Sequence, residues 1–174
     1  MSDLNGVLYV GTRNGNGCEL WGSAGLMVGP PPPYLPYIDW APLIAAPGFG
    51  NLNNIDLCSL APFGGQMFAG TFNGSPGFDV WTVAPGAFPG GLPWVWMPNQ
   101  IGGFGPDDIR ATVLTVSGGS LYLGIQNHRS GCEVWSLPGL AGPWSQANIN
   151  GFAPNNNTAA SALLEFKGDL YAGT

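Results

Sequence analysis

Leu121-Tyr122-Leu123-Gly124-Ile125, followed by Asn127 and then by Cys132-Glu133-Val134-Trp135, is the stretch that decides the fold. Its opening recurs as Leu8-Tyr9-Val10-Gly11-Thr12, Met67-Phe68-Ala69-Gly70-Thr71 and Leu170-Tyr171-Ala172-Gly173-Thr174, at intervals of about 50 to 60 residues. The continuation recurs too. Asn14 and Asn73 take the place of Asn127, and Cys18-Glu19-Leu20-Trp21 and Phe78-Asp79-Val80-Trp81 take the place of the Cys-Glu-Val-Trp run. A fixed period in several correlated motifs is the mark of a repeat architecture.

Downstream of each Trp comes a variable Gly/Pro-rich segment and a second Trp-bearing run: Tyr37-Ile38-Asp39-Trp40, Trp94-Val95-Trp96 and Trp144-Ser145-Gln146. Next stand Gly48-Phe49-Gly50 with Asn53-Asn54, Gly103-Phe104-Gly105 with Asp107-Asp108, and Gly151-Phe152-Ala153 with Asn156-Asn157. An apolar run closes each copy, and Gly64-Gly65, Gly118-Gly119 or Lys167-Gly168 turns the chain back to the aromatic-x-Gly motif. These runs have strand length, are rich in Val, Leu and aromatics, and are bounded by Gly, Pro and Asn. Two-residue Gly turns between such runs are hairpin signals. No apolar pattern at helical spacing is sustained. The reading is all-β, with four-stranded β-propeller-type blades at approximately 4–63, 64–117 and 118–167 and the start of a fourth at 168–174.

The pattern aromatic-x-Gly-Thr, Gly-x-Glu-Val-Trp, Trp, Gly-Phe-Gly and an Asn pair resembles tandem bacterial β-propeller repeats of uncharacterised function. The resemblance covers essentially the whole chain. It implies a blade architecture and leaves the role open, because function resides in sites and not in folds. Propellers close with about 4–8 blades. Three copies and part of a fourth therefore predict that the ring is completed by a longer parent chain or by oligomerisation through open blade edges.

Composition narrows the functions. Only 8% of the residues are charged, with 4 basic against 10 acidic residues and a net charge of −6. No basic patch is present to meet phosphates, so nucleic acid and anionic membranes are excluded as expected partners. No apolar run is long enough to span a bilayer. The 29 Gly and 17 Pro are balanced by 45% hydrophobic residues, which favours a folded core over disorder. The first residues carry neither a basic nor an apolar leader region. An extracellular or cell-surface setting is favoured on the sparse charge and on two Asn-x-Ser/Thr patterns, at Asn73 and Asn156.

The candidate ligand-binding residues are Trp40, Trp94, Trp96 and Trp144, with Asn53, Asn54, Asp107, Asp108, Asn156 and Asn157. Flat aromatic faces beside amides suit carbohydrate. Asx turns are the alternative role for the Asn and Asp pairs. Ca²⁺ is a further alternative, although only Asp107-Asp108 carries two charges and no EF-hand spacing exists. No cofactor is required. Glu19, Asp79 and Glu133 recur at one position in every copy, and an architectural role as acceptors of backbone N–H bonds is preferred there over a channel-lining carboxylate ring. Cys18 and Cys132 align with Phe78, which marks a packing position and predicts buried thiols; Cys58 reads the same way. The single histidine, His128, has no nucleophile motif around it.

Three functions follow from these features. The first is a non-enzymatic propeller scaffold for surface recognition, with multivalent carbohydrate binding. The second is a self-assembling repeat protein forming an oligomer or filament. The third, and least favoured, is a glycoside hydrolase using paired carboxylates.

Overall fold

The computed structural model describes residues 1–27, 37–75, 77–83, 97–105, 107–153 and 156–174. Within them the chain is all-β, with short 3-10 segments at Pro47–Gly50 and Asn150–Phe152 and no α-helix. No helix among the described residues is long and apolar enough to cross a membrane. The Pro30-Pro31-Pro32-Pro33 run and the Trp94-Val95-Trp96 run lie outside the described residues.

The strands form successive antiparallel meanders. The first sheet has the order β1 (Ser2–Leu4), β2 (Val7–Gly11), β3 (Leu20–Met27), β4 (Tyr37–Pro42). Then β5 (Asp56–Phe63) pairs with β6 (Gln66–Phe72), β6 with β7 (Val80–Val83), and β7 with β8 (Met97–Gln100). In the same way β9 (Asp108–Ser117) pairs with β10 (Ser120–Asn127), β10 with β11 (Glu133–Leu137), and β11 with β12 (Ser145–Gln146). A single pairing, Phe72 with Arg110, links these last two meanders into one eight-stranded sheet. A hairpin of β13 (Ala162–Phe166) and β14 (Asp169–Gly173) follows.

The sheets are out of phase with the sequence repeat by one strand. The apolar run that closes each repeat is the first strand of the next sheet. First strands also pack on first strands, β5 against β9 and β9 against β13, with β1 and β2 against β5. The short β1 is the counterpart of β5, β9 and β13. It turns into β2 through Asn5-Gly6, at φ 53° and 77°. Lys167-Gly168 adopts the same geometry, at φ 53° and 87°. Both residues of such a turn need positive φ, which fits the right-handed twist of the flanking strands.

The core lies between successive sheets. Tyr9, Leu20, Leu57, Met67 and Ala69 fill the space between the first two. Phe68, Phe78, Ala111, Leu121 and Leu123 fill the next. Neighbours on β6 thus serve opposite cores, Met67 and Ala69 one and Phe68 the other, because side chains alternate along a strand. Phe68 is fully buried, an apolar gain on the order of 2–3 kcal/mol. Smaller Cys132, Val134, Ala160 and Leu163 fill the space under the closing hairpin.

The recurrent Gly of the aromatic-x-Gly motif is where sheets come closest. A Cβ on Gly70 would sit 2.7 Å from the Ala111 Cβ, and one on Gly124 would sit 2.5 Å from the Ala160 carbonyl oxygen. The motif glycine is therefore required by the approach of the next sheet's first strand.

Candidate functional site

The recurrent polar residues converge on the joints between sheets. At the first joint the organising residue is Asn54, fully buried at the end of the Gly-Phe-Gly loop. Its amide nitrogen donates to the Gly48 carbonyl at 3.0 Å and to Asp79 Oδ2 at 2.7 Å. Its oxygen accepts from Thr71 Oγ1 at 3.1 Å and from Asn73 Nδ2 at 3.3 Å. Asp79 completes its set with the Gly102 N–H at 3.1 Å on Oδ1, and its own N–H donates to Thr71 Oγ1 at 2.9 Å. Every polar atom in this buried cluster thus has a partner, as buried polar groups require.

Asn73 has a double role. Its oxygen accepts the Ser75 N–H at 3.0 Å, ordering its own loop, while its nitrogen reaches across the joint. Asn127 repeats the device, with the Arg129 and Ser130 N–H groups on its oxygen at 3.0 Å and its nitrogen on Asp108 Oδ1 at 2.9 Å. Asn14 makes only the local half, accepting the Asn16 N–H at 3.0 Å.

The second joint reverses one polarity. Where Asn54 donates to its loop, the Asp108 carboxylate accepts, taking the Phe104 and Gly105 N–H groups at 3.0 and 2.7 Å on Oδ2. The acid of the next sheet is then the longer Glu133. It turns to the Trp135 indole N–H at 2.8 Å and to Asn150 Nδ2 at 3.0 Å. Burial raises the Glu133 pKa above the ordinary carboxylate value, and the Asp108 charge adds to the rise, while these two hydrogen bonds oppose it. Glu19 likewise accepts the Trp21 indole N–H, at 3.3 Å. Asp79 is one methylene shorter, and the buried Trp81 Nε1 has no hydrogen-bond partner among the described residues.

An aromatic clasp reinforces each joint. Phe49 stacks on Trp81 with centroids 5.0 Å apart and planes at 9°, and Phe104 stacks on Trp135 at 4.0 Å and 12°. In each case the Phe of one Gly-Phe-Gly loop covers the Trp of the following sheet. Phe152, the third such residue, is exposed at 40% and has no ring partner among the described residues. It nonetheless holds the same left-handed backbone as Phe49, at φ 56° against 58°.

Among the described residues, the predicted ligand residues take different environments. In each Asn or Asp pair the second residue turns inward and the first outward. Asn54 and Asp108 are fully buried, whereas Asp107 is partly exposed and lies 3.5 Å from Arg129. Asn53 and Asn156 are exposed, and Asn157 is half-buried with its nitrogen on the Gly151 carbonyl at 2.9 Å. The Asp108 oxygens that a Ca²⁺ ion would need already accept protein N–H groups. Trp144 is half-buried, tilted against Phe104, and donates its indole N–H to Asn99 at 2.7 Å. Trp40 is 37% exposed on β4. Asn73 is fully buried with both ends of its amide engaged, which corrects its reading as a surface glycosylation acceptor.

Cys18 and Cys132 are buried free thiols, and burial pushes Cys18 up to about 12. His128 is exposed on the β10–β11 loop. Arg110 pairs with Asp56 at 3.3 Å and lies over the Phe72 ring at 4.7 Å. It borders an open pocket of about 400 Å³ lined also by Cys58, Thr112, Gln126, Ala159 and Ser161.

The inter-sheet roles of Thr71, Asn73, Asn127, Phe49 and Phe104 were present in the sequence as recurring positions. Recurrence alone did not say that each contacts the neighbouring copy instead of its own. No protein-family model, curated protein or solved structure matches the chain.

Proposed function

We propose that the chain is a non-catalytic, propeller-type repeat scaffold whose role is assembly through the joint that links its own sheets. One observation carries this reading. A polar and aromatic joint of one plan is built twice, and a further copy of each of its halves stands, among the described residues, without the other half. The first sheet offers Thr12, Asn14 and Trp21, the counterparts of Thr71, Asn73 and Trp81. The last loop offers Phe152 and Asn157, the counterparts of Phe49 and Asn54. The propeller reading draws its support from the four-stranded meanders and from first strands packing on first strands. Against catalysis, the recurrent acids are occupied in structural hydrogen bonds.

Light scattering on the purified chain tests this directly. The expected result is a defined multiple of the 18.1 kDa chain mass, reduced by Trp21→Ala. A monomer at every accessible concentration refutes it.

Glycan recognition is the second reading. It draws on the open pocket beside Arg110, where the Gln126 amide and the Ser161 hydroxyl suit a sugar's hydroxyl groups. A glycan array on the folded chain, with Gln126→Ala as control, tests it; binding that survives the substitution removes the pocket from consideration.

A further inference from the structure

We infer that the closing hairpin exchanges with the first hairpin of a second copy, so that β14 of one chain pairs with β3 of another. The inference rests on the assembly reading and specifies its strand and register. Three separate observations lead to it.

The first is an open edge with known register. Among the described residues β14 pairs with β13 alone. Its sequence, Leu170-Tyr171-Ala172-Gly173-Thr174, matches Leu8-Tyr9-Val10-Gly11-Thr12 of β2. β2 pairs with β3 as Tyr9 to Gly22, Val10 to Trp21 and Gly11 to Leu20. The equivalent positions in the other sheets, Ala69 with Trp81 and Leu123 with Trp135, keep that register. Transferred to β14, it sets Tyr171 opposite Gly22, Ala172 opposite Trp21 and Gly173 opposite Leu20.

The direction of the hydrogen bonds agrees. Asp169 and Tyr171 face β13 in an alternating antiparallel ladder counted from the Lys167-Gly168 turn, so Leu170 and Ala172 turn their N–H groups outward. The same count in the first hairpin turns Leu8 outward, and its N–H donates to Ser23 Oγ of β3 at 2.9 Å.

The second observation is the aromatic clasp. Phe152 is exposed and holds the strained backbone of its stacked counterpart Phe49. The Trp that follows in register is Trp21 of the incoming β3. The third is the amide pair. Asn157 Oδ1 has no donor among the described residues, and neither has Asn14 Nδ2 an acceptor. The Asn73 to Asn54 bond, at 3.3 Å, is the joint these two would rebuild.

The exchange is near neutral in its core. Tyr171 is 54% exposed and Tyr9 is fully buried, and on exchange one tyrosine replaces the other. The clasp and the amide bond are net additions. Because they arise only between chains, they favour association, and reciprocal exchange between two copies closes a two-fold ring.

Hydrogen exchange on the light-scattering oligomer tests the inference. The expected result is protection of the Leu170 and Ala172 amides and loss of protection at Leu8 and Val10. Ala172→Pro, which removes an outward N–H and none of the N–H groups that face β13, is expected to reduce the mass to that of one chain. Phe152→Ala, an exposed site, weakens association without touching the ladder, should the proline variant fail to fold. An oligomer that retains protection at Leu8 and Val10 overturns the exchange and leaves assembly standing. A wild-type monomer overturns both.

Discussion

Asn54→Asp is nearly isosteric, and it places a carboxylate 2.7 Å from Asp79 Oδ2 in a fully buried site. Two effects follow. The Gly48 carbonyl loses its donor, which costs about 1–3 kcal/mol. The two carboxylates also repel, by about 6 kcal/mol at an effective dielectric of 20. The pair escapes most of that repulsion by taking up one proton, which then bridges the oxygens. At pH 7 the proton costs about 1.4 kcal/mol for each of roughly three pH units above the ordinary carboxylate range, or about 4 kcal/mol. Protonation thus caps the electrostatic loss.

The sign follows from linkage. The folded variant binds a proton more tightly than the unfolded chain, so its stability is present at low pH and is lost as pH rises above about 4. Urea unfolding followed by tryptophan fluorescence measures this. The expected deficit relative to wild type is about 5–7 kcal/mol at pH 7, narrowing to about 1–3 kcal/mol near pH 4. Asn54→Leu, which removes both donors without adding a second carboxylate, is expected to show a deficit that changes less with pH than that of Asn54→Asp. A deficit for Asn54→Asp that is also flat with pH, or below about 1 kcal/mol, refutes the reasoning.

The clasp predicts a contrast between equivalent residues. Phe104→Ala removes a ring stacked on Trp135 and is expected to cost about 3 kcal/mol, while Phe152→Ala, exposed and unstacked in the single chain, costs under about 0.5 kcal/mol in chemical unfolding at low concentration. Glu133, raised by burial, contributes a stability that declines as pH climbs above its ordinary value of 4.5. Glu133→Gln is expected to flatten that decline in urea midpoints compared between about pH 4.5 and pH 7, and an unchanged slope removes Glu133 as its source.

The strand class and most of the hairpins were legible because alternation and Gly-containing turns are local properties. The link between Gly64-Gly65, or Gly118-Gly119, and a tight hairpin needs no tertiary information. The first strand was missed because Ser2–Leu4 is only three residues long, although Asn5-Gly6 is the strongest short hairpin signal. The phase of the sheets was not legible. Sequence similarity sets the period of a repeat but not where one sheet stops, and that depends on which strand edges hydrogen-bond. The hydrogen bonding of the loop pairs was not legible for a related reason. Asn54 and Asp108 have the composition of ligand-binding loops, and only their burial shows that the neighbouring sheet consumes their hydrogen bonds. Trp144 carries the same lesson, since its partner Asn99 lies in a different repeat.

The imperfections of the repeat have a physical order. Each joint must hold one loop residue, at 54, 108 or 157, against one acid on the following sheet. Where the loop residue is the neutral Asn54, the short Asp79 approaches it directly and the joint holds one carboxylate. Where it is Asp108, a second carboxylate at hydrogen-bonding distance would repel, and the following acid is the longer Glu133, which reaches past the joint to Trp135 and Asn150. Loop residue and acid are therefore matched across the joint and not within a sheet. Asn157 is neutral. Closing it against the first sheet of a second copy brings up Glu19, a long acid that already accepts the Trp21 indole N–H as Glu133 accepts that of Trp135. An aspartate at 157 would therefore rebuild the combination of the Asp108 joint, so Asn157→Asp should leave the oligomer mass nearly unchanged at neutral pH in light scattering, whereas adding Glu19→Asp, which brings a second short acid to the joint, should lower it. Loss of association with Asn157→Asp alone would show that the length of the acid does not set the match.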